Sequence, residues 1–155
     1  MPPPKKSYEA DLDATFARIQ LLDVGQLELR ADFARYLCVL VSGYLDQTIR
    51  EITGEFVRQR AQPLIADLVV KLTDRTTNLT AAKLRTYLLQ IDRTWEGAID
   101  ALLVDRAKDA LDSVIALRHR IAHGQSADVT IARMLGYYVE IKKLLLAIRA
   151  VMGLP

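Results

Sequence analysis

Both histidines of the chain fall in one short stretch, Leu117-Arg118-His119-Arg120-Ile121-Ala122-His123-Gly124. His119 and His123 are four positions apart, a spacing that puts them on one side of a continuing helix. An imidazole titrates near neutrality, so it can give or take a proton under ordinary conditions. Arg118 is always charged and its planar fork can hold a phosphate by two parallel bonds. The stretch therefore has the parts for phosphoryl chemistry. Three readings of the histidine pair stand side by side: a structural pair favoured electrostatically at a helix C-terminus, a shared metal site, and acid–base catalysis. The metal reading has neither a third histidine nor a nearby cysteine, so its remaining ligands would come from remote carboxylates or a second chain. Arg118 has an ordinary reading too, a last-turn arginine favoured by the helix dipole and snorkelling outward. Against that stands its register: the line Ala107, Leu111, Val114 reaches position 118 after one more step of four, where an apolar residue is expected. A guanidinium on that line should point to an interface.

Seven helical runs have to position this stretch. Residues 1–7 form a proline-rich, basic lead-in expected to fray, and residues 8–155 form one domain. The first helix runs from Tyr8 to Leu22, with Leu12, Phe16, Ile19 and Leu22 at helical spacing. The second and longest spans Leu27 to Arg60. Its stripe is Phe33, Leu37, Leu40, Tyr44, Ile49, Ile52 and Phe56, widened by Tyr36, Val41, Leu45 and Val57. Gly43 and Gly54 inside it either bend the helix or let another element approach closely. Asp46 and Arg50, four apart, read as a surface pair. Pro63 suits a first helical turn, and a short helix follows to Leu72. Asp74–Asn78 is a polar loop, after which Thr80 caps a helix over Ala81–Ile91. A turn at Asp92 leads to a short face made of Trp95, Ile99, Leu102 and Leu103. The helix carrying the histidines begins near Asp105 and ends on Gly124 in a C′ role. Thr130 caps the last helix, whose stripe is Ile131, Leu135, Tyr138, Ile141, Leu145, Ile148 and Met152. No strand-like alternation and no internal repeat interrupts this series. Short connections favour antiparallel neighbours, so the fold class is all-α, an antiparallel helical bundle with two long helices and several shorter ones.

Composition narrows the function classes. With 155 residues and 51% hydrophobic content, the chain can bury a core and is not a disordered segment. Twenty-one basic and 19 acidic residues nearly cancel, so any nucleic-acid site must be a local patch rather than a property of the whole chain. The single cysteine, Cys38, lies in an apolar run and reads as a small core residue in a reducing compartment. No apolar stretch approaches a membrane span and no secretory signal is evident, so the expected setting is soluble and cytoplasmic, with no membrane partner. Asn78-Leu79-Thr80 matches a glycosylation acceptor that a cytosolic chain does not use. Two histidines and one core cysteine make a poor zinc set, and no carboxylate cluster reads as a magnesium site; no metal or other cofactor is expected.

The stretch at 117–124 resembles the signature of the HEPN superfamily: an arginine, a polar residue, a short spacer and a histidine. Arg118 matches the arginine, His119 the polar position and His123 the histidine. The segment Val41–Ile52 resembles the early helix of the RiboL-PSP type of HEPN domain, with Asp46 at that type's acidic position. The resemblance extends from about residue 25 to about residue 150, and its sharpest part is the arginine–histidine segment. It implies a HEPN-like bundle and a dimeric, metal-independent endoribonuclease of toxin or antiviral-defence type, with two copies of the segment lining a shared cleft and leaving 2′,3′-cyclic phosphate ends. Arg118 and His123 would be catalytic, and His119, Asp46 and Arg120 supporting or RNA-contacting. RNA and a second copy of the chain are the implied partners, with an antitoxin or other regulatory protein as a further one. Some HEPN toxins carry a modifiable tyrosine two residues after the histidine; Gln125 stands there instead, which argues against control of that kind. The alternative within the family is a non-catalytic module that binds RNA, nucleotide or a protein partner, with Arg118 and His123 as phosphate or dimer contacts.

Overall fold

The computed structural model of the chain describes residues 7–155. The expected lead-in, apart from Ser7, lies outside the described residues. Seven α-helices follow in order: α1 (Tyr8–Gln20), α2 (Leu27–Arg58), α3 (Pro63–Thr73), α4 (Ala81–Ile91), α5 (Glu96–Leu102), α6 (Asp105–Ala122) and α7 (Ile131–Val151). A single 3-10 turn, Arg93–Trp95, joins α4 to α5, and no strand occurs among the described residues. The all-α reading and its order of elements hold. The starts are set by the residues that the pattern marks: Thr80 accepts from the Lys83 N–H, Thr130 from the Arg133 N–H, and Pro63 opens α3.

α2 is the central rod, packed against α1, α3, α6 and α7, while α6 and α7 pack on one another. Its buried stripe comprises Leu37, Cys38, Val41, Tyr44, Leu45, Ile49 and Ile52, facing Leu84 and Leu88 of α4, Leu111 and Val114 of α6, and Met134, Tyr138, Ile141 and Leu145 of α7 in one core. Tyr36, placed on this stripe by spacing, is instead half exposed. α1 runs antiparallel to α2: Tyr8 near its start donates to the Leu40 carbonyl at 3.0 Å, while Leu22 beyond its end accepts from Arg30. The non-consecutive pair α2 and α7 runs in the same sense. Tyr44 meets the Tyr138 ring, and further along both helices Glu55 pairs with Arg149 at 2.8 Å.

Gly43 serves close approach rather than bending. A Cβ there would stand 2.9 Å from the Tyr8 hydroxyl, so glycine lets α1 lie directly on α2. Above this contact a polar seam ties the N-terminal helix down: Tyr44 donates to Glu9 and Tyr138 to Asp13, each at 2.8 Å, with Lys142 beside Asp13 at 3.0 Å. α3 is docked through few residues. Ala66 and Thr73 are buried, while Leu64, Leu68 and Leu72 form an exposed row. Among the described residues no helix is long and apolar enough to cross a membrane.

The adjacent leucines of α7 test this packing. Leu145 is 2% exposed and Leu146 is 68% exposed. Leu145→Ala is expected to cost about 2–5 kcal/mol, and Leu146→Ala to stay within about 0.5 kcal/mol of wild type. Urea denaturation of the two variants checks this, and equal losses would contradict the assigned face.

Candidate functional site

α6 brings the arginine and the histidines to its C-terminal turns. The helix closes in a Schellman arrangement: the Gly124 N–H donates to the Ile121 carbonyl at 3.1 Å and the Gln125 N–H to the Arg120 carbonyl at 2.9 Å. Gly124 sits at φ +65°, which glycine adopts without a Cβ penalty, so the sequence ends the helix at this point. His123 is the capping residue, and its N–H still donates to the His119 carbonyl. The His119 and His123 rings lie on one side, with centroids 4.4 Å apart and planes tilted by 60°. Both residues are exposed, as is Arg120, so the pair stands on open surface. Among the described residues, no group of three or more histidine, cysteine or acidic side chains is placed to hold a metal ion.

Arg118 is half-buried and turns inward, as its place on the apolar line requires. The interface it reaches lies within the chain, where the loop between α3 and α4 crosses α2 and α6. One guanidinium nitrogen, Nη1, donates a short hydrogen bond to the side-chain oxygen of Asn78. The Asn78 backbone N–H in turn donates to Asp46 Oδ2 at 3.2 Å. Four residues on, Arg50 donates to the Thr76 carbonyl at 3.2 Å. Asp46 and Arg50 are therefore not a surface pair. Asp46 is buried, and the two side chains grip the same loop at neighbouring points. The i, i+4 spacing alone suggests a surface pair, because the loop that both side chains bond is remote in sequence.

The electrostatics around Asp46 are those of a charge removed from water. Burial pushes its carboxyl above the usual range, against the lowering effects of the Asn78 and Leu79 backbone N–H groups and of the Arg118 and Arg50 charges. Its Oδ1 is buried without a hydrogen-bond partner. Cys38, also near Arg118, has its thiol pushed up to about 11, chiefly by burial, and it donates weakly to the Val114 carbonyl. It is a core residue, as expected, and is not poised as a thiolate.

The structure thus brings Asp46 and Arg118 to one junction through Asn78, and leaves His119, Arg120 and His123 at the adjacent helix end. Asn78 is the residue that sequence reasoning passed over. Its only sequence signal is the general tolerance of asparagine for left-handed backbone, and it sits at φ +56°.

The all-helical bundle, with an arginine and a spaced histidine on the closing turns of a helix ahead of one capped last helix, is consistent with a HEPN-type domain. The family model described as RiboL-PSP-HEPN matches residues 10–152, and the chain belongs to that family. Comparisons with curated proteins and with solved structures return no match.

A folded carboxyl held above its unfolded pKa favours the fold while protonated, and that contribution is lost as pH rises through the folded value. Asp46→Asn stays neutral throughout. Its stability relative to wild type is therefore expected to improve as pH rises from about 4 to about 7. The check is the difference in urea midpoint at each pH; a difference that is flat, or that runs the other way, contradicts the assignment.

Proposed function

We propose that the protein is a metal-independent endoribonuclease of toxin or antiviral-defence type, acting in the cytoplasm as a two-fold dimer. Membership of a family whose domains are often RNases supports it. The observation that carries it is the make-up of the α6 terminus: a guanidinium held by an uncharged amide, with two exposed imidazoles on the same turns. Arg118 keeps donors beyond the one bonded to Asn78, and among the described residues it forms no ion pair. It is matched to the non-bridging oxygens of a phosphodiester, where charge builds in the transition state.

In the reaction the 2′-oxygen attacks the neighbouring phosphorus and the P–O5′ bond breaks. One imidazole takes the 2′-hydroxyl proton and another, protonated, gives a proton to the departing 5′-oxygen. The products are a 2′,3′-cyclic phosphate and a 5′-hydroxyl. His123, at the end of the helix, is assigned the proton transfer; His119 orients a neighbour or contacts RNA, and Arg120 is an exposed cation for the flanking backbone. A single α6 terminus is open on its outer side. A second copy related by a two-fold axis sets the same stretch opposite itself and supplies the second proton-transfer group.

Cleavage of a labelled RNA by purified variants tests this. His123→Ala and Arg118→Ala are each expected to lower the rate by about 10²–10⁴ with unchanged circular dichroism, while His119→Asn keeps much of it. Activity should survive EDTA, and light scattering at micromolar concentration should give a dimer. A folded His123→Ala protein that cuts at the wild-type rate removes the catalytic assignment. Wild-type protein that binds RNA and leaves it intact favours the non-catalytic binding module.

A further inference from the structure

We infer that Asn78 is a positioning residue for Arg118, holding the guanidinium in place without neutralising it. The inference rests on the reading of Arg118 as the phosphate holder, and it adds to the site a residue from a different part of the chain.

Three observations carry it. First, Asn78 occupies left-handed backbone at φ +56°, a conformation found at only one other non-glycine residue among those described, Asp105. That geometry is strained for most side chains and persists where the surroundings fix it. Second, the surroundings do fix it. The Asn78 N–H is tied to Asp46, the Asn78 carbonyl accepts from the Thr80 N–H at 3.0 Å, and Arg50 holds the Thr76 carbonyl. Leu79 is 3% exposed and anchors the next position in the core, and the Ala81 N–H donates to Asp112 of α6 at 2.9 Å. The loop is bonded to α2 on one side and to α6 on the other. Third, what this clamp presents to Arg118 is a carboxamide oxygen. An amide and a carboxylate can hold a guanidinium nitrogen in similar geometry. Only the carboxylate adds a full negative charge, which would compete with an incoming phosphate. Asp46 is itself close enough to Arg118 to feel its charge, yet its two oxygens serve the loop or remain unpartnered. Asn78 therefore stands between the carboxylate and the guanidinium as a neutral spacer.

Two substitutions separate side chain from backbone. Asn78→Gly keeps the left-handed conformation accessible and removes the amide. Asn78→Asp keeps the shape and adds the charge. Two readouts are used on each: steady-state kinetics on a labelled RNA oligonucleotide, and the ¹⁵N–¹H signal of the Arg118 side-chain Nε, which reports restraint of the guanidinium without needing any activity. In the glycine variant the Arg118 signal is expected to lose its restraint and kcat to fall about 10²-fold, the scale of an ångström-level misplacement. In the aspartate variant the signal stays restrained while KM rises, and lowering the ionic competition by acidification restores part of the loss. An Arg118 signal unchanged in the glycine variant overturns the inference, as do wild-type kinetics in both variants. If the glycine variant does not fold, the split between restrained signal and raised KM in the aspartate variant decides alone. If wild-type protein cuts no RNA, the proposed function fails, and the Arg118 signal still tests the positioning on its own.

Discussion

A carboxylate placed at the middle of a long buried helix has to be answered by donors, because an ionised group without them is too costly to keep out of water. Asp46 is that group, and its hydrogen-bond donor comes from outside its own helix. The loop between α3 and α4 bends into left-handed backbone to offer an N–H, and Arg118 and Arg50 supply charge from two directions. The loop's place on α2, the start of α4 beside Asp112, and the inward turn of Arg118 all follow from meeting this one demand. The answer is incomplete, since Oδ1 is left without a partner. A residue kept in that condition lowers stability where it sits, as is common where a fold carries a site.

The amide between the two charged groups has a second effect. Had Arg118 reached Asp46 directly, the pair would have been a buried ion pair, geometrically satisfied and chemically silent. Interposing Asn78 separates support from charge. The arginine is placed by a network running through α2, the loop and α6, and among the described residues Asn78 is the only partner of its side chain. The histidines, by contrast, are placed by helix geometry alone: a four-residue spacing and a glycine that closes the helix. The site therefore joins one part fixed by tertiary contacts to one fixed by local rules.

That difference explains what the sequence discloses. The helices, the caps at Thr80 and Thr130, the Gly124 closure and the facing of His119 on His123 are all consequences of interactions within a few residues, and spacing reveals them, whereas Ser7, assigned to the lead-in, instead caps α1 by accepting from the Ala10 N–H. The arginine on an apolar line was legible as an anomaly for the same reason. Its target was not, because Asn78 lies 40 positions away and nothing in a local window links the two. The Asp46–Arg50 spacing misleads on the same ground: two residues that satisfy every local condition for an ion pair are instead each engaged with a third segment. Tyr36 leaves the stripe to which its spacing assigns it because α2 is covered unevenly around its circumference, and the packing of α1, α3, α6 and α7 rather than local spacing determines which side is left open.

The triplet Asn78-Leu79-Thr80 fits the pattern that oligosaccharyltransferases recognise in a nascent chain. In the folded protein its amide oxygen is engaged with Arg118, Leu79 is in the core and Thr80 caps α4, so the triplet is held in a fixed conformation. In a secretory lumen the modification would precede folding, and it would attach a bulky sugar to the same amide whose oxygen holds the guanidinium. A eukaryotic host that exports the chain would therefore deliver protein altered at its most constrained loop, whereas bacterial cytosol would not. The choice of expression compartment becomes a variable of the chemistry itself.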